Sequence, residues 1–257
     1  MSGQLIVLGS TSSIARFVVP QLGYESKNIL LIDRGSSSIP DPVEGAEHIR
    51  INFENSKVAE SELKKVFSSF GGRQVVVLSF IGSYGEVNSL AHADIDEVSN
   101  TILNNFKPFL AVAKAAMYLP KNSAVIAFAG AGVGGDNLDD SSIGYLASKS
   151  AMCVTIEAIQ NQLDPFNVHF GLISPGAFPS RMQEVVASAN PSEVQEARIE
   201  RAKSVMTNQP NPERLVNMIN FLTVNPEILG GRSWSANFDP MQTMNLPENF
   251  GRIRRVF

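Results

Sequence analysis

The sequence predicts a doubly wound α/β fold, in which a parallel sheet is covered by helices on both faces. Two observations carry the prediction. Short apolar runs of β-type residues recur along the chain, and helical patterns fill most of the intervals between them. Strands that are apolar throughout, rather than on alternate residues, are buried on both sides, as in a parallel sheet beneath crossover helices. The alternation of strand with helix implies the same layering. At 257 residues the chain has material for one large domain, and residues 1–257 are read as a single unit.

Gln4 to Gly9 is the first buried strand, ended by its glycine. The polar loop Ser10 to Ser13 leads into an apolar-periodic segment from Ile14 to about Leu22, read as a helix. Asn28 to Ile32 is the second strand, closed by Asp33, and Ile49 to Phe53 the third. Ser56 to Phe70 has helical spacing, and Gln74 to Ser79 is the fourth strand. A long helix from about Asp94 to Tyr118 precedes the fifth strand, Ser123 to Phe128. After a glycine-rich loop, a helix carrying Tyr145 runs to about Leu163, and Asn167 to Ile173 is the sixth strand. Residues 180–210 break the rhythm, being polar and helical in pattern. An insertion at the carboxyl edge of such a sheet is where a substrate lid sits. The tail after Asp239 has little periodicity and is expected to pack on the surface or on another subunit.

Composition excludes several function classes. A net charge of −4 argues against nucleic acid and anionic membrane as partners, and Arg252, Arg254 and Arg255 are too few to reverse that. No apolar run reaches the roughly 18 residues of a membrane span. The first residues lack a charged-then-apolar leader, so a cytoplasmic protein is expected. Cys153 is the only cysteine, which excludes an internal disulfide and a cysteine-based metal cage; it reads as a core residue. His48, His92 and His169 show no metal-ligand spacing, and no metal is expected.

Chemistry concentrates in two places. Tyr145 and Lys149 stand four residues apart, on one helix face. An ammonium near a phenol lowers its pKa from about 10, making it a proton carrier near neutral pH. The second place is the first strand–loop–helix, where free N–H groups at a helix start attract a pyrophosphate. Gly9 is the only glycine there; Ser13 and Ala15 hold the places where other glycines are usual, and Ser10 to Ser13 also read as a helix cap. Asp33 ends the next strand, roughly twenty residues on, where a carboxylate grips a ribose 2′-hydroxyl. That carboxylate repels a 2′-phosphate and favours NAD over NADP, while Arg34 beside it argues the other way.

Gly9, Asp33, Tyr145-Leu-Ala-Ser-Lys149 and Ser174-Pro-Gly-Ala-Phe-Pro-Ser180, in this order, resemble the short-chain dehydrogenase/reductase family along nearly the whole chain. The resemblance implies a Rossmann-type sheet and an NAD(P)-dependent oxidoreductase that interconverts a secondary alcohol and a ketone. It makes Tyr145 the general acid/base, has Lys149 lower its pKa and hold the nicotinamide ribose, and makes Asn104 the third catalytic residue. It assigns cofactor contacts to Gly9, Ser12, Ser13, Ile14, Asp33, Arg34, Asn52, Phe53, Ile81, Gly82, Tyr145, Lys149, Pro175, Gly176, Phe178 and Ser180. Asn104 has a further argument: Pro108 lacks an N–H, so the carbonyl of Asn104 loses its helical partner and is open to a water; a purely structural kink accounts for it equally. By resemblance the protein is a homo-oligomer.

Departures from the family pattern bear on the site. The substrate-orienting serine expected after the fifth strand is missing, and Gly130 stands in its place. Such a donor is commonly worth orders of magnitude in rate. Ser141 and Ser142 are near in sequence but read as caps of the Tyr145 helix. Asn-Asn-Ala-Gly after the fourth strand reads Ser79-Phe-Ile-Gly82, and Asn52 replaces the usual acid near adenine. Phe128 to Gly132, Gly231 to Asp239, Leu246-Pro-Glu and Ile253-Arg-Arg255 resemble a subgroup encoded with bacterial polysaccharide and nucleotide-sugar genes, which implies a sugar or polyol substrate. The alternative is a nucleotide-binding protein that has lost dehydrogenase activity and acts as a sensor or partner. The missing serine motivates it; Tyr145, Lys149 and Asn104 oppose it.

Overall fold

The computed structural model describes residues 3–35, 41–130, 141–239 and 241. The stretch 131–140, the tail motifs near Leu246 and Ile253, and the Arg252 cluster lie outside them. Seven parallel strands form one sheet in the order β3-β2-β1-β4-β5-β6-β7. They are β1 Gln4–Leu8, β2 Ile29–Asp33, β3 Glu47–Arg50, β4 Val75–Ser79, β5 Ser123–Phe128, β6 Val168–Ser174 and β7 Ser233–Ser235. The helices are α1 Ser13–Val18, α2 Ser56–Ser68, α3 Ile95–Ala116, α4 Ile143–Leu163, α5 Arg181–Ala187, α6 Glu196–Thr207, α7 Glu213–Val224 and α8 Pro226–Leu229. The strand order reverses between β1 and β4, and the crevice outside the strands' carboxyl ends at such a reversal is where ligands bind in open α/β sheets.

Alternate residues of the central strands feed two cores. Ile6, Leu8, Val77, Val125 and Phe170 pack with α2, α3 and α4 on one face. Leu5, Val7, Leu78, Ile126 and Ile173 pack with α1 and α7 on the other. Each fully buried aliphatic side chain contributes about 1.5–3 kcal/mol, which is why the strands read as solid apolar runs. Among the described residues no helix is long and apolar enough to cross a membrane.

Three details differ from the sequence reading. The first helix stops at Val18 and continues as a 3-10 turn over Val19–Gln21, because Pro20 has no N–H to return to the carbonyl of Arg16. The third strand lies at Glu47–Arg50 instead of at residues 49–53; it is an edge strand, and Asn52 ends it by accepting the N–H of Glu54 at 2.9 Å. The sequence reading also lacked β7 and α7.

Residues 180–210 form α5, α6 and a separate small core of Val186, Val194, Ile199 and Ala202, against which Tyr84 and Val87 pack. This unit is tied to the chain after β4 by Glu193, whose Oε2 accepts from the hydroxyl of Ser89 at 2.7 Å and whose Oε1 lies 2.7 Å from His92 Nδ1.

Candidate active site

The first turn and a half of α4 builds the centre. Gly144 lets the helix start against α3, since a Cβ there would stand 2.8 Å from the carbonyl oxygen of Val98. Tyr145, Ser148 and Lys149 then share one face. Lys149 is buried, and its Nζ donates to the carbonyl of Phe128 at 2.8 Å, anchoring it to the carboxyl end of β5. The same Nζ lies 5.6 Å from the centre of the Tyr145 ring.

The electrostatics differ from the expectation. Burial pushes the Tyr145 phenol up to about 12, and burial pulls the Lys149 ammonium down to about 8. The predicted lowering of the tyrosine's pKa is absent in this geometry. Lysine's long stem carries Nζ over the ring to a backbone carbonyl, and desolvation of both groups dominates.

Gly130 abuts the phenol. A Cβ built there would lie 2.7 Å from Tyr145 Cε1 and 2.9 Å from its hydroxyl oxygen. The space that a serine side chain at position 130 would take is therefore filled by the tyrosine itself. Tyr84 flanks it on another side, with ring centres 4.8 Å apart and planes at 50°. The Tyr84 hydroxyl accepts from Arg198 Nη2 of α6, and Arg198 Nη1 donates to Ser141 Oγ at 2.8 Å. Of the two serines before α4, Ser141 accepts from Arg198, and Ser142, at the N-cap position, makes no side-chain cap bond.

The asparagine of α3 that faces this centre is Asn105, not Asn104. Asn104 is exposed, whereas Asn105 is buried, with Oδ1 accepting from Ser83 N at 2.7 Å and Nδ2 donating to Ser83 O and to Ser148 Oγ, each at 2.9 Å. One residue along a helix turns a side chain by about 100°, enough to move it from core to solvent. The missing N–H of Pro108 bears on the backbone carbonyl of Asn104 and not on the direction of its side chain. The signal that finds Asn105 is the buried stripe Thr101, Asn105, Pro108, Phe109, Val112. Asn105→Ala strands the N–H of Ser83 and is expected to lower stability by about 2–3 kcal/mol in urea unfolding, against less than about 0.5 kcal/mol for Asn104→Ala.

At the other end of the crevice, Gly9 has φ +73, and a Cβ there would press within 3.2 Å of the backbone of Phe80 and Ile81. Ser12 precedes α1 without capping it, and Ser13 and Ile14 make its first turn. Asp33 is buried at the end of β2 and already engaged: Oδ1 accepts from Gly35 N at 2.5 Å, and Oδ2 lies 3.4 Å from the Ser10 hydroxyl and 3.1 Å from His48 Nε2. His48 also approaches Asp41 at 3.4 Å, a grouping across β2 and β3 that spacing did not reveal.

A family model described as short chain dehydrogenase matches residues 4–191. The chain belongs to the short-chain dehydrogenase family. Solved structures agree in fold. A short chain dehydrogenase/reductase from Saccharomyces cerevisiae superposes with TM-score 0.75 at 16% identity, covering 95% of this chain and 100% of that one. Aldohexose dehydrogenase from Thermoplasma acidophilum gives 0.69 at 16% identity, with 96% and 98% covered. The NADP complex of RhlG from Pseudomonas aeruginosa gives 0.70 at 15% identity, with 91% and 95% covered. A search of curated proteins finds no match.

As a short-chain dehydrogenase fold, the crevice fits a dinucleotide. The close-approach glycine, an uncapped helix start and a terminal strand carboxylate stand at one end, with Lys149 at the other. Gly82 joins the two halves, since a Cβ on it would lie 3.4 Å from Asn105 Oδ1 and 3.5 Å from Lys149 Nζ. The remaining expected contacts scatter. Arg34 is exposed, 3.7 Å from Glu54; Asn52 is exposed; Phe53 lies in the core. Pro175 is buried, and Gly176 (φ +87) packs against Asn237. Phe178 packs against Phe17, and Ser180 caps α5 through Gln183 N. Ser148, Tyr84 and Arg198 complete the site and were missed. Ser148 lies within the Tyr145–Lys149 motif, but nothing local marks the other two.

Proposed function

We infer that the protein is an NAD(P)-dependent oxidoreductase interconverting a secondary alcohol and a ketone, with Tyr145 exchanging the proton on the substrate oxygen. The observation that carries this reading is the Tyr145 phenol seated against Gly130 at the end of β5, with Lys149 beneath its ring. NAD(P)H, when bound, supplies the hydride. Gly9, the start of α1 and Asp33 hold the adenosine diphosphate end; Lys149 and Gly82 border the reacting end. With its pKa at about 12, the phenol is neutral at physiological pH and donates a proton to a carbonyl oxygen as it gains hydride. Alcohol oxidation needs the phenolate, and so requires Lys149 Nζ to leave the Phe128 carbonyl for the phenol oxygen.

NAD is the cofactor favoured, because a buried carboxylate at Asp33 opposes a 2′-phosphate. A sugar or polyol is the substrate class carried forward, on the subgroup resemblance. Two structural neighbours are named as an aldohexose dehydrogenase and a glucose/ribitol dehydrogenase. The α5–α6 unit acts as the lid of a single domain. Exposed Leu103 and Leu110 on α3 and Val154 on α4 support an oligomer built through those helices.

The test supplies NAD or NADP with a panel of sugars, polyols and hydroxy acids, and the corresponding ketones with the reduced cofactors. Absorbance change at the reduced nicotinamide band is expected on at least one pair, and silence across the panel in both directions overturns the reading. Parallel calorimetric titration is expected to show tighter binding of NAD; tighter NADP sinks the Asp33 argument. Sedimentation of a monomer at micromolar concentration would exclude the oligomer.

A further inference from the structure

Three described groups border the Tyr145 ring: Gly130 against its edge and hydroxyl, Lys149 beneath it and Tyr84 packed on it. Gly130 follows β5 and Lys149 shares α4 with Tyr145, so the sheet and the helix fix both. Tyr84 lies in neither a helix nor a strand. Its place against the phenol needs a separate cause.

The lid supplies that cause. Arg198 of α6 donates through Nη2 to the Tyr84 hydroxyl and through Nη1 to Ser141 Oγ at 2.8 Å. Ser141 stands just before the helix that carries Tyr145, and its carbonyl accepts from Asn88 N at 3.0 Å. A guanidinium is planar and offers its donors in a rigid fork. One side chain therefore sets the spacing between the segment that bears Tyr84 and the start of the Tyr145 helix. The Tyr84 ring also packs against the lid's small core of Val186, Val194, Ile199 and Ala202. Behind it the backbone turns at Gly85 (φ +76), where a Cβ would stand 2.1 Å from Thr101 Oγ1. Tyr84 is thus pinned by α3 through its backbone and by α6 through its side chain.

The geometry points to Arg198 as a positioning residue for Tyr145: its fork clamps Tyr84 and Ser141 together, and Tyr84 holds the catalytic ring against Gly130. This rests on the reading of Tyr145 as the proton donor. A misplacement of about 1 Å at a reacting group costs on the order of 10²-fold in rate, so a small slide of one ring on the other is enough. Arg198 lies beyond residues 4–191, the part matched by the family model. Seating the lid and aligning the phenol become one event, and an open α6 leaves the proton donor unaligned.

The test uses holoenzyme with reduced cofactor and 2,3-butanedione, a small dicarbonyl with no charged group for a guanidinium to bind. Arg198→Met is expected to lower kcat about 10–100-fold with KM held within about threefold. Arg198→Lys keeps the charge but not the fork, and is expected to fall between that variant and the parent. Tyr84→Phe keeps the ring and deletes the clamped oxygen, and is expected to lower kcat about tenfold. Adding Arg198→Met to Tyr84→Phe is expected to cost less than it costs the parent, because the two groups act in one chain of contacts. Full additivity places the action of Arg198 elsewhere and overturns the proposal. A raised KM with unchanged kcat makes the lid a cover alone and overturns it as well. If Arg198→Met does not fold, Tyr84→Phe decides: kcat within about twofold of the parent, while Tyr145→Phe abolishes turnover, overturns the clamp and leaves the Tyr145 reading intact. If Tyr145→Phe is silent too, the functional reading and this one fall together.

Discussion

Tyr145→Phe is expected to lower turnover by about 10²–10⁴-fold while leaving the circular dichroism and the melting temperature near those of the parent. The substitution keeps the ring that packs on Tyr84 at 4.8 Å and lies 5.6 Å from Lys149 Nζ, and it deletes only the oxygen beside Gly130. Chemistry and packing are thereby separated at one atom. The size of the loss follows from the state of the phenol. With a pKa of about 12 its ionised fraction at pH 7 is roughly 10⁻⁵, so the resident form is the acid. Ketone reduction uses that form directly and is expected to hold its rate across neutral pH, whereas alcohol oxidation is expected to accelerate with pH. Steady-state rates in both directions, for parent and variant, decide the matter. Turnover of Tyr145→Phe within a factor of two of the parent removes the phenol from the mechanism.

The contrast between what spacing shows and what it hides is clearest around that phenol. An i, i+4 pair announces that Tyr145 and Lys149 are neighbours, and they are. It does not say where a four-carbon stem delivers its nitrogen, and here the nitrogen goes to a β5 carbonyl. Likewise β1, β2, β4, β5 and β6 were legible because each is buried on both faces and spells that out in consecutive apolar residues. β3 was displaced because an edge strand has little burial to write into its pattern. β7 is three residues long, and its buried Trp234 is flanked by serines, too short a run to read. α7 did carry a readable stripe, Leu215, Val216, Met218, Ile219 and Leu222. Asn104 and Asn105 differ by one position in sequence and by the width of a helix in space, which only the burial of the whole stripe resolves. Tyr84 and Arg198 are separated by 114 residues and meet only because α6 folds back over the chain after β4. Long-range polar pairs of this kind leave no local trace.

Lys149→Met carries the second large effect, and it has two opposing arms. Turnover is expected to fall at least 100-fold, because the only ammonium described under the Tyr145 ring is lost. Stability is expected to move the other way with pH. Burial holds the Lys149 pKa at about 8, against 10.5 for a lysine in water. Between those values the unfolded chain binds more protons than the folded one, so the parent gains stability as pH rises through that window. The full gap corresponds to about 3 kcal/mol, and from pH 8 to pH 9 the gain is on the order of 1 kcal/mol. Other groups oppose it only at higher pH. Cys153, its pKa raised by burial, favours the folded state less as pH climbs past 9, and Tyr145 does the same above 10. Urea unfolding of cofactor-free protein at pH 7.5, 8.25 and 9 is therefore expected to show a rising midpoint in the parent and a flat one in Lys149→Met. The methionine also leaves the Phe128 carbonyl without its donor, a pH-independent cost of about 1–3 kcal/mol that shifts the variant's level but not its slope. A flat parent profile means that Lys149 keeps its charge hydrated, which is incompatible with an ammonium sealed between β5 and α4.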